Sequence, residues 1–290
     1  MTPRVIGVTG ASGFVGTAVA RALNQEGNRV IALGRRPVGG YEHRDYSLGT
    51  GVSAATLDGL DTVVHCAYDL SLTDSRAIAA TNVEGTRALI AAAAEADARL
   101  ILVSSMSAYT GTSQIYGRAK LQSEADVLSA GGEAVRLGLV WGGADGGMIG
   151  TLKRLGSAPI VPVFGRGLYQ FTVHVDDMAA GFVEIVQRPR FGRPVGLAHP
   201  ARVPFEQILM VVGAGRQPRF VRIPWRPTYS ALRLAERARL PLPVRADSLL
   251  GLVRPAPEVP EVSYWSEIGM SLRAFGDPAP RGGRPTRPAT

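Results

Sequence analysis

One cysteine in 290 residues rules out an intramolecular disulfide and a zinc site built on thiolates. Inside the apolar run DTVVHCAY, Cys66 is expected to pack as a small hydrophobe. Histidine is scarce too: His43 and His199 have no partner at ligand spacing, and no metal site is expected. No apolar run reaches the roughly 18–20 residues of a membrane-spanning helix. The opening MTPRVIGVTGASG passes into a strand and a glycine turn without the apolar stretch of a signal peptide. A cytoplasmic protein without a membrane partner is the expectation. Lysine is nearly missing as well, since Lys120 and Lys153 are the only two among 32 basic residues.

What is present is a globular composition, 46% hydrophobic and 19% charged, long enough for one large domain or two coupled ones. The net charge of +8 is unevenly spread. Residues 1–200 carry 18 basic against 17 acidic residues, and residues 201–290 carry 14 against 7. Without aromatic-basic interleaving or a DNA-binding motif, the late excess fits an arginine-rich lobe and a basic tail, and nucleic acid is not expected as a partner.

Short β-branched runs alternate with helical patterns from the start. RVIGVT, RVIAL, DTVVHC, RLILVSS and EAVRLGLVW read as strands, with helices at GTAVARALNQEG, near 74–96 and near 115–128. Such alternation predicts a doubly wound parallel sheet of the Rossmann type with a smaller C-terminal substrate lobe. The expected division is a dinucleotide-binding domain over 1–200 with part of the lobe inserted around 142–170, a mostly helical lobe over 201–276, and a flexible basic tail over 277–290. YQFTVHV and RPVGLA read as returns toward the sheet, and DDMAAGFVEIVQR as a helix between them. Two or three amphipathic helices, including TYSALRLAERARL, are expected beyond Ala201.

In VIGVTGASGFVGTAVA, Gly10, Gly13 and Gly16 lie between a predicted strand and a predicted helix. One glycine permits the turn, one lets backbone approach a pyrophosphate, and one lets helix pack on strand, while the helix N-terminus faces the anion. The glycines of VGAGRQP follow a helical pattern and are read as a helix C-cap instead. An NAD enzyme usually offers Asp or Glu to the adenosine ribose at the end of the second strand. VIALGRRP offers Arg35 and Arg36 there. Arginine suits a 2′-phosphate through charge-assisted hydrogen bonds, so NADP(H) is expected, with NAD as the alternative.

YGRAK places Tyr116 and Lys120 four residues apart on a predicted helix, hence on one face. A free phenol titrates near 10, and a neighbouring ammonium favours its phenolate. Tyr116 can then act as general acid or base. Lysine suits this position because its compact charge can sit beside a phenol and a sugar hydroxyl together. Ser105, ending the strand in LVSSMSAY, could hold a reacting carbonyl oxygen, with Ser104 and Ser107 as alternatives.

These residues resemble the short-chain dehydrogenase/reductase superfamily in its extended branch, the NAD-dependent epimerase/dehydratase family. Over roughly residues 4–187 the matching segments come in the family's order: TGASGFVG, DTVVHCA, NVEGT, SSMSAY, YGRAK, RLGLVWG and HVDDMA. The resemblance implies that Tyr116 is the acid/base, Lys120 holds the nicotinamide ribose and Ser105 polarises the substrate. Asp45 and Tyr46 of HRDYS are implied to border the adenine. Cofactor contacts are accordingly expected at Gly10, Ser12, Gly13, Phe14, Val15 and Gly16, at Arg35, Arg36, Asp45 and Tyr46, and at Ala67, Asn82, Lys120 and Leu139. His65 and His174 lie inside fold-associated segments and are read as structural. Trp141, Met148, Tyr68 and Tyr109 follow strand ends, where lining a substrate pocket and ordinary packing are both open. Pairing into a homodimer is implied by analogy.

Departures from the family pattern narrow the expected activity. Met106 and Ser107 stand where sugar-nucleotide dehydratases carry an acidic pair, and Gln170 where epimerases commonly carry a diphosphate-binding arginine. The expectation is an NADP(H)-dependent reductase or dehydrogenase acting on a carbonyl or alcohol of a small organic molecule. A nucleotide-sugar epimerase with tightly bound cofactor, and a non-catalytic NADP-binding regulatory protein, are the alternatives.

Overall fold

The structure, a computed structural model, describes residues 3–143, 146–213, 217–238, 240 and 245–277. The tail expected over 277–290 lies, from residue 278, outside the described residues. The first half of the chain runs β1 (Val5–Thr9), α1 (Phe14–Gln25), β2 (Arg29–Gly34), β3 (Glu42–Asp45), α2 (Ala54–Leu57) and β4 (Thr62–His65). Next come α3 (Ser75–Ile78), a π-helical turn (Ala79–Val83), α4 (Glu84–Glu95), β5 (Arg99–Ser105), α5 (Ile115–Ser129), β6 (Glu133–Leu137) and β7 (Leu139–Trp141). The rest comprises α6 (Gly147–Gly156), β8 (Ile160–Phe164), β9 (Tyr169–Gln170), β10 (Thr172–His174), α7 (Val175–Gln187), β11 (Val195–Leu197) and β12 (Val203–Pro204). It closes with α8 (Phe205–Val212), β13 (Arg219–Ile223), α9 (Trp225–Arg237), α10 (Ala246–Val253) and α11 (Tyr264–Glu267).

Seven parallel strands form the central sheet in the order β11-β6-β5-β4-β1-β2-β3. The chain winds one way from β1 through β2 and β3, then the other way from β4, so the C-terminal ends of β1 and β4 diverge in connection while lying side by side, Thr9 opposite His65. Ligands of open α/β sheets bind at this switch point. Alternate residues face opposite sides, which explains strands apolar throughout. Ile6, Val8, Val64, Ile101 and Val103 pack with α1 and α7, whereas Ile31, Leu33, Val63, Leu100 and Leu102 pack with Leu89 of α4 and Val127 of α5.

Three readings of the sequence change. EAVRLGLVW is not one strand: it breaks at Gly138, where a Cβ would lie 2.8 Å from the Phe171 carbonyl oxygen and 2.9 Å from the Ala198 side chain. Beyond the break β7 leaves the sheet to pair with β10. YQFTVHV correspondingly divides into β9 and β10, and only β11 of the expected returns joins the sheet. β3 was not expected, because EHRD has no apolar pattern; it is an edge strand held by backbone pairing to β2, with Glu42 and Asp45 exposed.

His65 ties three elements together under the switch point. Its Nδ1 lies 2.8 Å from the Thr9 hydroxyl and its Nε2 3.2 Å from that of Thr86. Thr86 donates its proton to the Asn82 carbonyl, so it accepts from Nε2–H; Thr9 accepts from the Ala67 N–H and donates to Nδ1. Every partner is satisfied by the neutral ring alone. Burial, and secondarily the Lys120 ammonium, holds its pKa down to about 3. An unfolded histidine titrates near 6.5. The folded value is depressed, so this contribution to stability is complete above about pH 6.5 and is lost as pH falls toward 3. The urea-unfolding free energy of the parent is therefore expected to fall between pH 6.5 and 4. His65→Gln, which cannot titrate, should show a slope smaller by up to about 1.4 kcal/mol per pH unit.

Candidate active site

β1 ends at Thr9, and the chain turns at Gly10 with φ +65°, in the region that disfavours side chains. A Cβ on Gly10 would lie 3.0 Å from the Ala67 backbone beyond β4, and one on Gly16 only 2.1 Å from the Gly10 carbonyl oxygen. Gly13 caps α1 with no side-chain hydrogen bond, and the first turn holds no acidic residue. Its N–H groups and the positive end of the helix dipole thus face an exposed edge at Ser12 and Gly13, beside half-buried Phe14 and Val15. This cradle fits a dinucleotide pyrophosphate. Asn82, in the π-helical turn, accepts the Asp69 N–H through Oδ1 at 2.7 Å and pins the loop after β4. Leu139 opens β7, half-buried against the cluster that contains Ile149.

At the end of β2, Arg35 and Arg36 are both exposed, and His43 donates from Nε2 to the Gly34 carbonyl at 2.9 Å. Arg35 faces the loop after β4: the Asp69 carboxyl is held below its ordinary range first by hydrogen bonds from Ser71 and then by the Arg35 guanidinium. The Asp45 carboxylate opens to solvent, 96% exposed. Tyr46 turns the opposite way into the core, edge-on to His65, and burial pushes its phenol above the usual range.

The catalytic candidates converge past the end of β5. Ser105 accepts the Ser107 N–H through Oγ at 3.1 Å. Its hydroxyl also lies near enough to Tyr116 to favour the phenolate, although burial wins and raises the Tyr116 pKa. Ser104 points away, donating to the Glu124 carboxylate. Lys120 is 4% exposed and donates from Nζ to the Val103 carbonyl at 2.7 Å. Burial lowers its pKa to about 8, partly opposed by Cys66 and Glu124. Tyr68 joins the pair: its ring stands edge-on to Tyr116, 5.0 Å between centroids, with the Lys120 ammonium 4.6 Å above it. Among the other pocket candidates, Met148 is 59% exposed. The Tyr109 hydroxyl donates to the Arg254 carbonyl. Trp141 lies between the rings of His174 and Phe275. His174 itself caps α7 by accepting the Asp176 N–H, a structural role.

Two supporting residues escape a reading of the sequence alone. Glu124 is nearly fully buried and takes a bidentate grip from Arg136, with Nε to Oε1 at 2.9 Å and Nη2 to Oε2 at 2.7 Å. Its spacing of four from Lys120 was a usable signal, since both fall on one helical face. Asp247 of α10 had none. Its carboxylate accepts the N–H groups of Ile115 at 2.6 Å and Tyr116 at 3.2 Å, capping α5, whose own N-cap Gln114 makes no side-chain cap.

The profile of the NAD dependent epimerase/dehydratase family matches residues 6–197. A relative named ceramide reductase, from Caulobacter vibrioides (strain NA1000 / CB15N), is 32% identical over 235 residues, spanning 76% of this chain and 74% of the relative. The solved structure of gox2253 is 25% identical with a TM-score of 0.72, over 93% of this chain and 94% of that one. MoeE5 in complex with UDP-glucuronic acid and NAD is 23% identical with a TM-score of 0.64, over 76% and 85%, a likeness of fold alone.

The Asp247 cap is testable without substrate. Asp247→Ala is expected to lower stability by about 1 kcal/mol, as loss of an N-cap does. Amide hydrogen exchange at Ile115 and Tyr116 should quicken by about fivefold while exchange in β1 stays as in the parent; uniform change across the protein would contradict a local cap.

Proposed function

This chain belongs to the NAD dependent epimerase/dehydratase family and is an NAD(P)-dependent oxidoreductase-type enzyme of the extended short-chain dehydrogenase/reductase kind; from that premise we propose an NADP(H)-dependent reductase, or the reverse dehydrogenase, acting on the carbonyl or alcohol of a small organic substrate. What supports the reading is Ser105 beside Tyr116, with the Tyr116 ring and the Lys120 ammonium both against Tyr68, past the ends of β4 and β5. NADP(H), when bound, would supply hydride to the carbonyl carbon or accept it from the alcohol carbon. Ser105 hydrogen-bonds the carbonyl oxygen through its hydroxyl and orients it. Tyr116, which burial keeps protonated, gives its proton to that oxygen as negative charge develops. Lys120 holds ribose hydroxyls with its remaining N–H donors and eases departure of the phenolic proton by its charge. Arg35 and Arg36 take the 2′-phosphate. Asn82, Ala67 and Leu139 border the cofactor, and Asp45 reaches the adenine side. A cytoplasmic homodimer belongs to the same reading.

The 32% identity to ceramide reductase supports the reductive direction and makes a carbonyl on a ceramide-type lipid the first candidate substrate. Buried Met106 and the amide of Gln170 supply neither the acid–base pair of a dehydratase nor a diphosphate-binding arginine, which disfavours the nucleotide-sugar readings. An epimerase would hold its cofactor without net turnover.

The experiment is titration with NADPH and NADH, then a carbonyl panel followed at the nicotinamide absorbance. Tyr116→Phe should bind NADPH like the parent while kcat falls about 10²–10⁴-fold. Unchanged cellular function of that variant would favour a non-catalytic binding protein. Replacing Arg35 and Arg36 by Asp should weaken NADPH at least about tenfold, in line with lost charged hydrogen bonds, and leave NADH nearly unaffected. Equal affinity of the parent for both cofactors would overturn the NADP assignment.

A further inference from the structure

β8 and β13 form a separate two-stranded parallel ribbon, with Ile160 opposite Arg219, Pro162 opposite Val221 and Phe164 opposite Ile223. Because side chains alternate, one face carries Val161, Val163 and Phe220, which pack onto Ile208 and Leu209 of α8. The opposite face carries Ile160, Pro162, Phe164, Val221 and Ile223. Among the described residues none of these five belongs to a hydrophobic cluster, and Ile160 is 58% and Val221 41% exposed. β13 turns at Pro224 into α9, which has no buried residue and leaves Leu234 69% exposed.

The charge around this face has one sign. Segments 157–168 and 217–228 contain Arg166, Arg219, Arg222 and Arg226 and no Asp or Glu; Arg219 stands on the outer face opposite Ile160, while Arg222 falls by the same alternation on the side of Val163 and Phe220. All four arginines are exposed, and among the described residues none has a carboxylate partner. Trp225, at the junction of ribbon and helix, has guanidinium groups of Arg226 and Arg254 over its ring at 5.6 and 5.7 Å. Exposed aliphatic groups, an indole and a basic rim suit the boundary of an anionic bilayer, where the apolar groups enter the acyl edge and the guanidinium groups meet phosphates. A second copy of the chain fits less well, since a two-fold contact would set these arginines against themselves with no acid in the patch.

The face also communicates with the candidate active site. Arg254 donates from Nη1 to the Ser113 hydroxyl at 3.1 Å, and its carbonyl accepts the Tyr109 hydroxyl at 2.9 Å. Both partners lie on the segment that enters α5 and delivers Tyr116. One residue therefore joins Trp225 to the rim of the reacting phenol.

We propose that the outer face of the β8–β13 ribbon, with Trp225, seats this protein peripherally on an anionic lipid surface. No helix among the described residues is long and apolar enough to cross a membrane, and this attachment needs none. The sequence pointed away from a membrane partner because no apolar run is long enough to span a bilayer; the patch exists only once the two strands pair. That the surface feeds a lipid carbonyl to Tyr116 rests on the reductase reading, whereas lipid binding itself does not.

The test is co-sedimentation of the full chain with vesicles of phosphatidylcholine alone or mixed with phosphatidylglycerol, at low and high salt. Binding is expected only to the anionic vesicles and should weaken with salt. Arg219→Glu and Val221→Glu, both at exposed positions, should each lower partitioning about fivefold or more, with the urea midpoint and NADPH affinity unchanged. Equal binding to neutral vesicles, no binding, or variants that bind like the parent would overturn the proposal. So would a dimer that Val221→Glu dissociates in the absence of lipid binding. Turnover of a water-soluble ketone by Val221→Glu separates the two readings: if it persists while lipid binding fails in the parent as well, the surface is wrong and the reductase stands.

Discussion

The ammonium of Lys120 lies almost wholly out of water, and much of the surrounding architecture exists to make that tolerable. A buried cation is costly unless its donors are occupied and opposite charge is near. The Val103 carbonyl takes one donor, the Tyr68 ring offers its negative face, and the Glu124 carboxylate supplies the nearby charge. Glu124 could not serve without its own support, and Arg136 and the Ser104 hydroxyl provide it. The chain of interactions runs from β6 through α5 to β5, so the helix bearing Tyr116 is held against the strand bearing Ser105. An arginine in place of Lys120 would bring five donors in a rigid fork to a pocket where one carbonyl accepts, one ring offers its face and Glu124 is already taken by Arg136 and Ser104. The near-exclusive use of arginine elsewhere and lysine here thus has a steric and electrostatic reason.

A second constraint acts at the other end of α5. The positive end of that helix would ordinarily be satisfied by a residue just before it, yet Gln114 does not cap it. Asp247 does so from over a hundred residues away, and Arg245 next to it grips the carbonyls of Leu70, Ser71 and Leu72. The C-terminal segment is therefore fastened both to the helix of Tyr116 and to the loop beyond β4. The helix that carries Tyr116 and the loop beyond β4 are thereby joined in one mechanical unit.

The alternation of strands and helices, the glycine turn and the face shared by Tyr116 and Lys120 were legible because each depends on residues close in sequence: an apolar strand buried on both sides, a turn that only glycine allows, a helical repeat. EHRD was illegible as a strand because an edge strand can be held by backbone hydrogen bonds alone. EAVRLGLVW misled because nothing local reveals that the Phe171 backbone will press against Gly138 and divert the chain. Tyr46, adjacent to an outward Asp45, could not be assigned a direction until its neighbours packed.

Amino-acid order by itself determined the parallel αβ architecture, the glycine turn and the identity of the Ser, Tyr and Lys candidates, since local sterics and side-chain periodicity suffice for these. Tertiary structure alone decided which serine faces the phenol, that a second tyrosine stands beside it, that Asp247 caps the helix, and that two short strands expose an apolar, arginine-rimmed face. Each of those outcomes requires segments far apart in the chain to meet, and packing and charge satisfaction choose such meetings only when the whole molecule has folded.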